Sequence, residues 1–185
     1  MRTLIYIDPG AHGGIAWRDF LGDIRIADLP KITVERIIKS GKVRKTTRTD
    51  AEGLRRLFSQ IRIFKTDDGI SIGYETPSLK GTGGQHSLLV QGMNVGIVLG
   101  VAVATCPFAI VEEFDSREVK AATGCESGGD TKAAAVKRAC ELFPEFTSQI
   151  KVPPTGRQRT VQVKDGRADA LLGLWHLMDR ESREG

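Results

Sequence analysis

Four carboxylates in this 185-residue chain stand where chemistry could use them. Asp8 ends the apolar run "LIYI" and is followed at once by Pro9 and Gly10. Glu75 ends a second such run, "GISIGYE", just ahead of Pro77. Asp165 and Asp169 lie four apart in "KDGRADALLGLWHL", which on a helix puts them on one face, roughly 6 Å apart along the axis. A charge at the end of a buried run is costly unless it is paired or metal-bound. Each position also has a plainer reading. Asp-Pro-Gly is a common turn, Glu75 could be an edge residue in solvent, and Asp165 could cap its helix. Taken together, four carboxylates from three elements match two-metal phosphodiester hydrolysis, in which two Mg²⁺ about 3.5–4 Å apart stabilise the attacking and leaving oxygens. Carboxylates are the hard ligands Mg²⁺ prefers, and four of them balance the charge of two divalent ions.

The elements that must hold these groups follow from the pattern of apolar residues. Residues 3–8 and 14–18 predict a hairpin about Pro9-Gly10 and Gly13-Gly14, and 23–29 a third strand. The missing side chains at Gly13 and Gly14 would let another part of the chain, or a ligand, approach closely. A basic loop follows. Thr49 and Glu52 have capping-box spacing for a helix over 50–61. Residues 69–76 predict a strand, 85–104 a long apolar helix, and 108–112 a short strand. Asp115 and Glu118 open a short helix, 130–143 forms another, and the last helix runs from about 166 to 180, with Leu171, Leu174, Trp175 and Met178 as its apolar stripe. Gly92, Gly96 and Gly100 allow close helix approach, in the core or across a dimer axis, with the core expected. The order of elements predicts a single α/β domain, a mixed sheet with helices on both faces.

Charged residues make up 27% and hydrophobic ones 40%, as in a water-soluble globular domain. The longest apolar run, around Val95 to Cys106, reads as too short to span a bilayer. The N-terminus has no signal-peptide pattern, so an intracellular, cytoplasmic or nucleoid location is expected. Cys106, Cys125 and Cys140 are far apart and read as reduced thiols. The net charge of +4 permits nucleic-acid binding. Its placement says more, since residues 39–48 hold five basic residues and no acid, and 156–164 hold three more. Candidate DNA contacts are therefore Lys42, Arg44, Lys45 and Arg48 in the first stretch, and Arg157 and Arg159 in the second.

The ordered set "IDPG", "YETP", "VQGMNVGIVLGVAVA", "REVKAATG" with "DTKAAAVKRA", and "GRADALLGLWH" resembles the successive motifs of RuvC-type Holliday junction resolvases, nearer the divergent phage-type members. The resemblance implies an RNase H-like fold with a mixed five-stranded sheet. It implies a homodimer that nicks four-way DNA junctions symmetrically using Mg²⁺ or Mn²⁺, two ions per site; a phage-encoded member would act in the host cytoplasm. It makes Asp8, Glu75, Asp165 and Asp169 the metal ligands and puts Lys120 and Lys132 near the scissile phosphate, Lys132 with a catalytic role. Lys80 and Arg117 join Lys120 as DNA contacts. Three features depart from the bacterial enzymes. The last two acids are four apart instead of three, no aromatic follows Glu75 in "TPSLKGTGG", and the basic stretch 39–48 has no counterpart. His176 lies about 10.5 Å beyond Asp169 along the helix, too far to share its metal, and reads as a phosphate contact at best or as an ordinary helix-end residue. His12 and His86 sit in glycine-rich loops where either could touch DNA, with solvent the expected surrounding.

The expected mechanism has one ion held mainly by Asp8 and Asp169 and the other by Asp8 and Glu75, with Asp165 completing the first site or orienting its water. It leaves a 5′ phosphate and a 3′ hydroxyl. Three alternatives stand beside it: an RNase H-like nuclease for flaps, branched replication DNA or RNA–DNA hybrids; a non-catalytic junction-binding protein; and a sugar-kinase-like phosphotransferase, for which the chain is too short.

Overall fold

The structure, a computed structural model, describes residues 1–37, 40–61, 69–76, 85–125, 131–154 and 160–184, without the side chains of Arg36, Arg44, Gln85, His86 and Ser87. Its centre is a five-stranded sheet in the order β3-β2-β1-β6-β7, made of Thr3–Ile7 (β1), Gly14–Arg18 (β2), Ile24–Asp28 (β3), Ile70–Glu75 (β6) and Ile110–Phe114 (β7). The first three strands form an antiparallel meander, while β6 pairs parallel with both β1 and β7. This is the mixed five-stranded sheet that the resemblance implied.

Both faces of the sheet are covered, which is why β1 reads as a continuous apolar run. Its side chains alternate between two cores. Leu4 and Tyr6 pack with helices α4 (Thr131–Leu142) and α6 (Asp165–Glu184). Ile5 and Ile7 pack on the opposite face with α1 (Ala51–Gln60) and α2 (Gln85–Thr105). A short helix, α3 (Ser116–Ala122), follows β7 and is capped by Asp115, whose carboxylate accepts from the Arg117 N–H at 2.7 Å. A single helical turn, α5 (Thr147–Ile150), leads into two paired two-residue strands, β8 (Lys151–Val152) and β9 (Gln162–Val163).

Four expectations need correcting. The stretch 39–48 is not a loop alone, since β4 (Lys31–Ile37) and β5 (Val43–Thr49) pair in register as a separate two-stranded ribbon. The β-branched pairs Thr33–Thr47, Val34–Thr46 and Ile37–Val43, together with Ile32 and Thr49, supply the strand propensity that the basic charges obscured. The cap of α1 is Asp50, accepting from the Glu52 N–H at 3.1 Å, and not Thr49. Finally, Gly92, Gly96 and Gly100 do not pack in the core, because a Cβ at any of them would meet nothing within 4 Å among the described residues. Helix α2 buries Asn94, Val98 and Ala102, one turn apart, and exposes Leu89 and Val103. At 21 residues, α2 is also longer than the run read from the sequence. Residues 88–105 are long and apolar enough to cross a membrane by length and composition, with 17% of that window buried. Asn94 ties this helix to the protein body, its side-chain oxygen accepting from the buried Thr49 N–H at 3.0 Å.

Candidate active site

Asp8 follows β1 directly, and Glu75 is the last residue of β6. The two strands are parallel neighbours with Ile7 opposite Tyr74, so both carboxylates emerge side by side at the C-terminal edge of the sheet. The turn reading of Asp8 also holds, since its Oδ1 accepts the Gly10 N–H at 2.8 Å. One residue thus starts the turn and presents a carboxylate.

The third element arrives through glycines. Gly13 bridges to Gly166 at the start of α6. A Cβ on Gly13 would run into the Asp8 carbonyl, one on Gly14 into the Gly166 carbonyl, and one on Gly166 into the His12 carbonyl. What approaches Gly13 and Gly14 so closely is therefore the N-terminus of α6, and this contact carries Asp165 and Asp169 to the sheet edge. Two turns along, the Tyr6 ring fills the space that a side chain at Gly173 would occupy. The Arg18–Glu181 ion pair fastens the far end of the helix to β2.

The electrostatics show how tightly the acids gather. Burial pushes the Glu75 carboxyl up to about 8, with Asp8 and Asp169 adding like-charge repulsion. Asp169 is raised to about 6 by burial and then by Asp8. Asp8 is raised by burial, offset in part by the Gly10 N–H and by Lys31. The Tyr6 phenol is pushed up by burial and by Glu75, Asp8 and Asp169 in turn. Asp165 differs, because the ion pair with Lys132 at 2.6 Å outweighs its burial and lowers it. Lys120 on α3 sits close enough to favour the charged forms of Asp8, Glu75 and Asp169 alike.

The cluster suits hard divalent cations, since it is oxygen-only, partly desolvated and short of positive charge. Among the described residues, however, no group of three or more acidic, imidazole or thiol side chains stands in ready-made metal-holding geometry. Two of the four acids are engaged elsewhere, Asp165 by Lys132 and Asp8 by the Gly10 amide. Asp8 raises the pKa of Glu75 and of Asp169, so the acids act on one another without forming a closed ligand set among the described residues.

The remaining candidates spread out. Lys132 is an exposed lysine whose ammonium pairs with Asp165. Lys45 pairs with Glu35 at 2.9 Å and Arg117 with Asp115 at 3.2 Å, both exposed. Lys42 is exposed between the strands of the ribbon, and Arg48 is half-buried with its Nε enclosed and without a hydrogen-bond partner. Lys80, Arg157 and Arg159 lie outside the described residues, and for Arg44 only the backbone position, opposite Arg36, is described. His176 is neither a phosphate contact nor an exposed helix end. It is 7% exposed, edge-on to Phe114 at 5.3 Å, and burial lowers its pKa.

One neighbour of the acids carries no sequence signal. The Lys31 Nζ donates to the Gly10 carbonyl at 2.9 Å, and burial lowers the pKa of this ammonium despite the nearby Asp8. A lone lysine after Pro30 belongs to no motif, and only the fold brings it to the site.

No family model and no curated protein sequence matches the chain. Among solved structures, the chain is similar to Thermus thermophilus RuvC in complex with a Holliday junction substrate, at 13% identity and a TM-score of 0.47, covering 95% of this chain and 96% of that one. It is similar also to a second T. thermophilus RuvC structure, at 16% identity and a TM-score of 0.46, covering 96% of each.

Proposed function

We propose that this protein is a divalent-metal-dependent endonuclease for branched DNA, with four-way junctions as its principal substrate. The observation that carries this reading is the gathering of Asp8, Glu75 and Asp169 at one sheet edge, where burial raises the pKa of all three and Asp8 adds like-charge repulsion to Glu75 and Asp169. Such a cluster is unfavourable by itself and becomes favourable around cations.

Asp8, Glu75 and Asp169 would hold Mg²⁺ or Mn²⁺, two ions per site, with Asp165 as the fourth ligand or as the residue orienting the attacking water. Ions held there supply the chemistry of two-metal sites, lowering the pKa of the water and stabilising the leaving oxygen. Lys132, already beside Asp165, offsets charge on the phosphate as it builds in the transition state. Lys120, which eases the charge of three of the acids, adds further positive charge at the site. The products are a 5′ phosphate and a 3′ hydroxyl. The basic ribbon β4–β5, with Lys80, Arg117, Arg157 and Arg159, supplies the salt-dependent affinity for the DNA backbone.

A four-way junction is roughly two-fold symmetric, so a symmetric dimer suits paired nicking. The face of α2 formed by Leu89, Gly92, Gly96, Gly100 and Val103 is apolar, lined with small residues and uncovered by any described residue, with Leu89 61% and Val103 55% exposed. We assign this face to the dimer interface.

The test is the purified protein with Mg²⁺, compared on a four-way junction, a flap, a linear duplex and an RNA–DNA hybrid. Metal-dependent paired nicks in the junction support the reading. Faster cleavage of flap or hybrid would reassign the substrate, and binding without any cleavage would leave only a junction-binding protein.

A further inference from the structure

A cleft of about 330 Å³ opens beside the acidic cluster, between the β1–β2 turn, the end of β3, the root of the ribbon, and β9 with the start of α6. His12, Lys31, Gln162 and Lys164 supply its polar walls, together with Asp28 and Asp165. Both carboxylates are already matched. Asp28 pairs with Lys164 at 3.0 Å and with Arg167 at 2.7 Å, and Asp165 pairs with Lys132 at 2.6 Å. Lys31 is different. Its ammonium is half-buried and donates to the neutral Gly10 carbonyl, and no ion pair joins it to a carboxylate among the described residues. The Asp8 carboxylate only partly offsets the burial of this ammonium, and an anion entering the cleft would offset more of it. The cleft lies at the lower end of the size range of ligand sites, about 300–1,000 Å³. That is room for one nucleotide unit and too little for a duplex.

Resting on the nuclease reading above, we propose that this cleft is a subsite for a DNA backbone phosphate next to the scissile one, with Lys31 as its cation and His12 as a second donor. The position fits, because Lys31 and the Asp8 carboxylate contact the same residue, Gly10, through its carbonyl and its N–H respectively. A strand with its reacting phosphate at Asp8 and Asp165 would place a neighbouring phosphate in the cleft. Lys31 also begins β4, so the subsite joins the reacting centre to the basic ribbon in one continuous track.

The experiment uses four-way junctions carrying a single neutral methylphosphonate, moved one position at a time along the cleaved strand. Affinity is measured with Ca²⁺ in place of Mg²⁺. Lys31→Met keeps the aliphatic stem and removes the charge; Lys31→Arg retains the charge; His12→Ala changes an exposed side chain and serves should the Lys31 site prove structurally sensitive. The expected result is on the order of a tenfold loss of affinity for Lys31→Met, with a salt dependence shallower by about one phosphate contact. Lys31→Arg should recover most of the affinity. At one flanking position the methylphosphonate should weaken wild-type binding by a similar factor and leave Lys31→Met binding unchanged. Losses that simply multiply at every position, or no loss for either Lys31→Met or His12→Ala, would overturn the subsite while leaving the nuclease reading intact. A wild-type protein that binds no branched DNA would overturn both.

Discussion

Helices α2 and α6 are the two longest described, at 21 and 20 residues, and they are used in opposite ways. Helix α6 carries acids and arginines along its length yet buries nine residues, from Gly166 to Leu177. Helix α2 has no charged residue at all and buries three residues along one edge. Apolar content therefore does not decide which helix is central. Helix α6 is central because Gly166 and Gly173 let its backbone reach Gly13, Gly14 and the Tyr6 ring, a shape match within one chain. Helix α2 carries three glycines four residues apart, with nothing against them among the described residues. Its match, on the reading proposed here, lies in a second copy of the chain.

The strongest way to break this contrast is at Asp169. Asp169→Asn should lower Mg²⁺-dependent cleavage by at least about 10²-fold, with the fold retained, as circular dichroism would show. Near-normal cleavage would mean that α6 positions nothing chemical. Next in size is Gly173→Ala, which forces a methyl group into the Tyr6 ring. A loss of about 1–3 kcal/mol in chemical denaturation is expected, the usual cost of overpacking.

A pH series sharpens the same contrast. The carboxyls of Glu75 and Asp169 bind protons more tightly in the folded chain than in the unfolded one. They favour folding at low pH, and this advantage fades as pH rises, through about 6 for Asp169 and about 8 for Glu75. Metal-free protein should therefore lose melting temperature between pH 5 and pH 8.5 by more than Glu75→Gln does. Adding Mg²⁺ at pH 8.5 should restore it in the wild type, as expected for a ligand that binds only the folded state. A flat profile for the wild type would count against a crowded acidic site.

The smallest effect falls on α2. In an isolated helix facing water, Gly96→Ala should stabilise by about 0.5–1 kcal/mol. Across a dimer axis the same methyl keeps the helices apart. Sedimentation should show weaker self-association, while dilute monomer stability holds or rises. Unchanged association would move the dimer interface elsewhere.

Much of the fold was legible because its strands and helices carry unmixed signals. Asp8 and Glu75 end apolar runs, Asp115 begins a capped helix, and the four-residue spacing of Asp165 and Asp169 suits one helical face. The ribbon β4–β5 was hidden because its positive charges sit among β-branched residues, and charge reads as loop. His176 was misplaced because its position along α6 does not reveal that Phe114 covers it. Lys31 and the pairing of Lys132 with Asp165 had no local pattern to find.

What the sequence determined by itself was the identity of the acids and the elements that bear them, since periodicity and the cost of a buried charge act within a few residues. Which strands are neighbours, which glycines meet, and which lysine faces which carboxylate were decided only by the tertiary structure. Those contacts join residues up to 153 positions apart, as Gly13 and Gly166 are, and depend on close packing that no local pattern records.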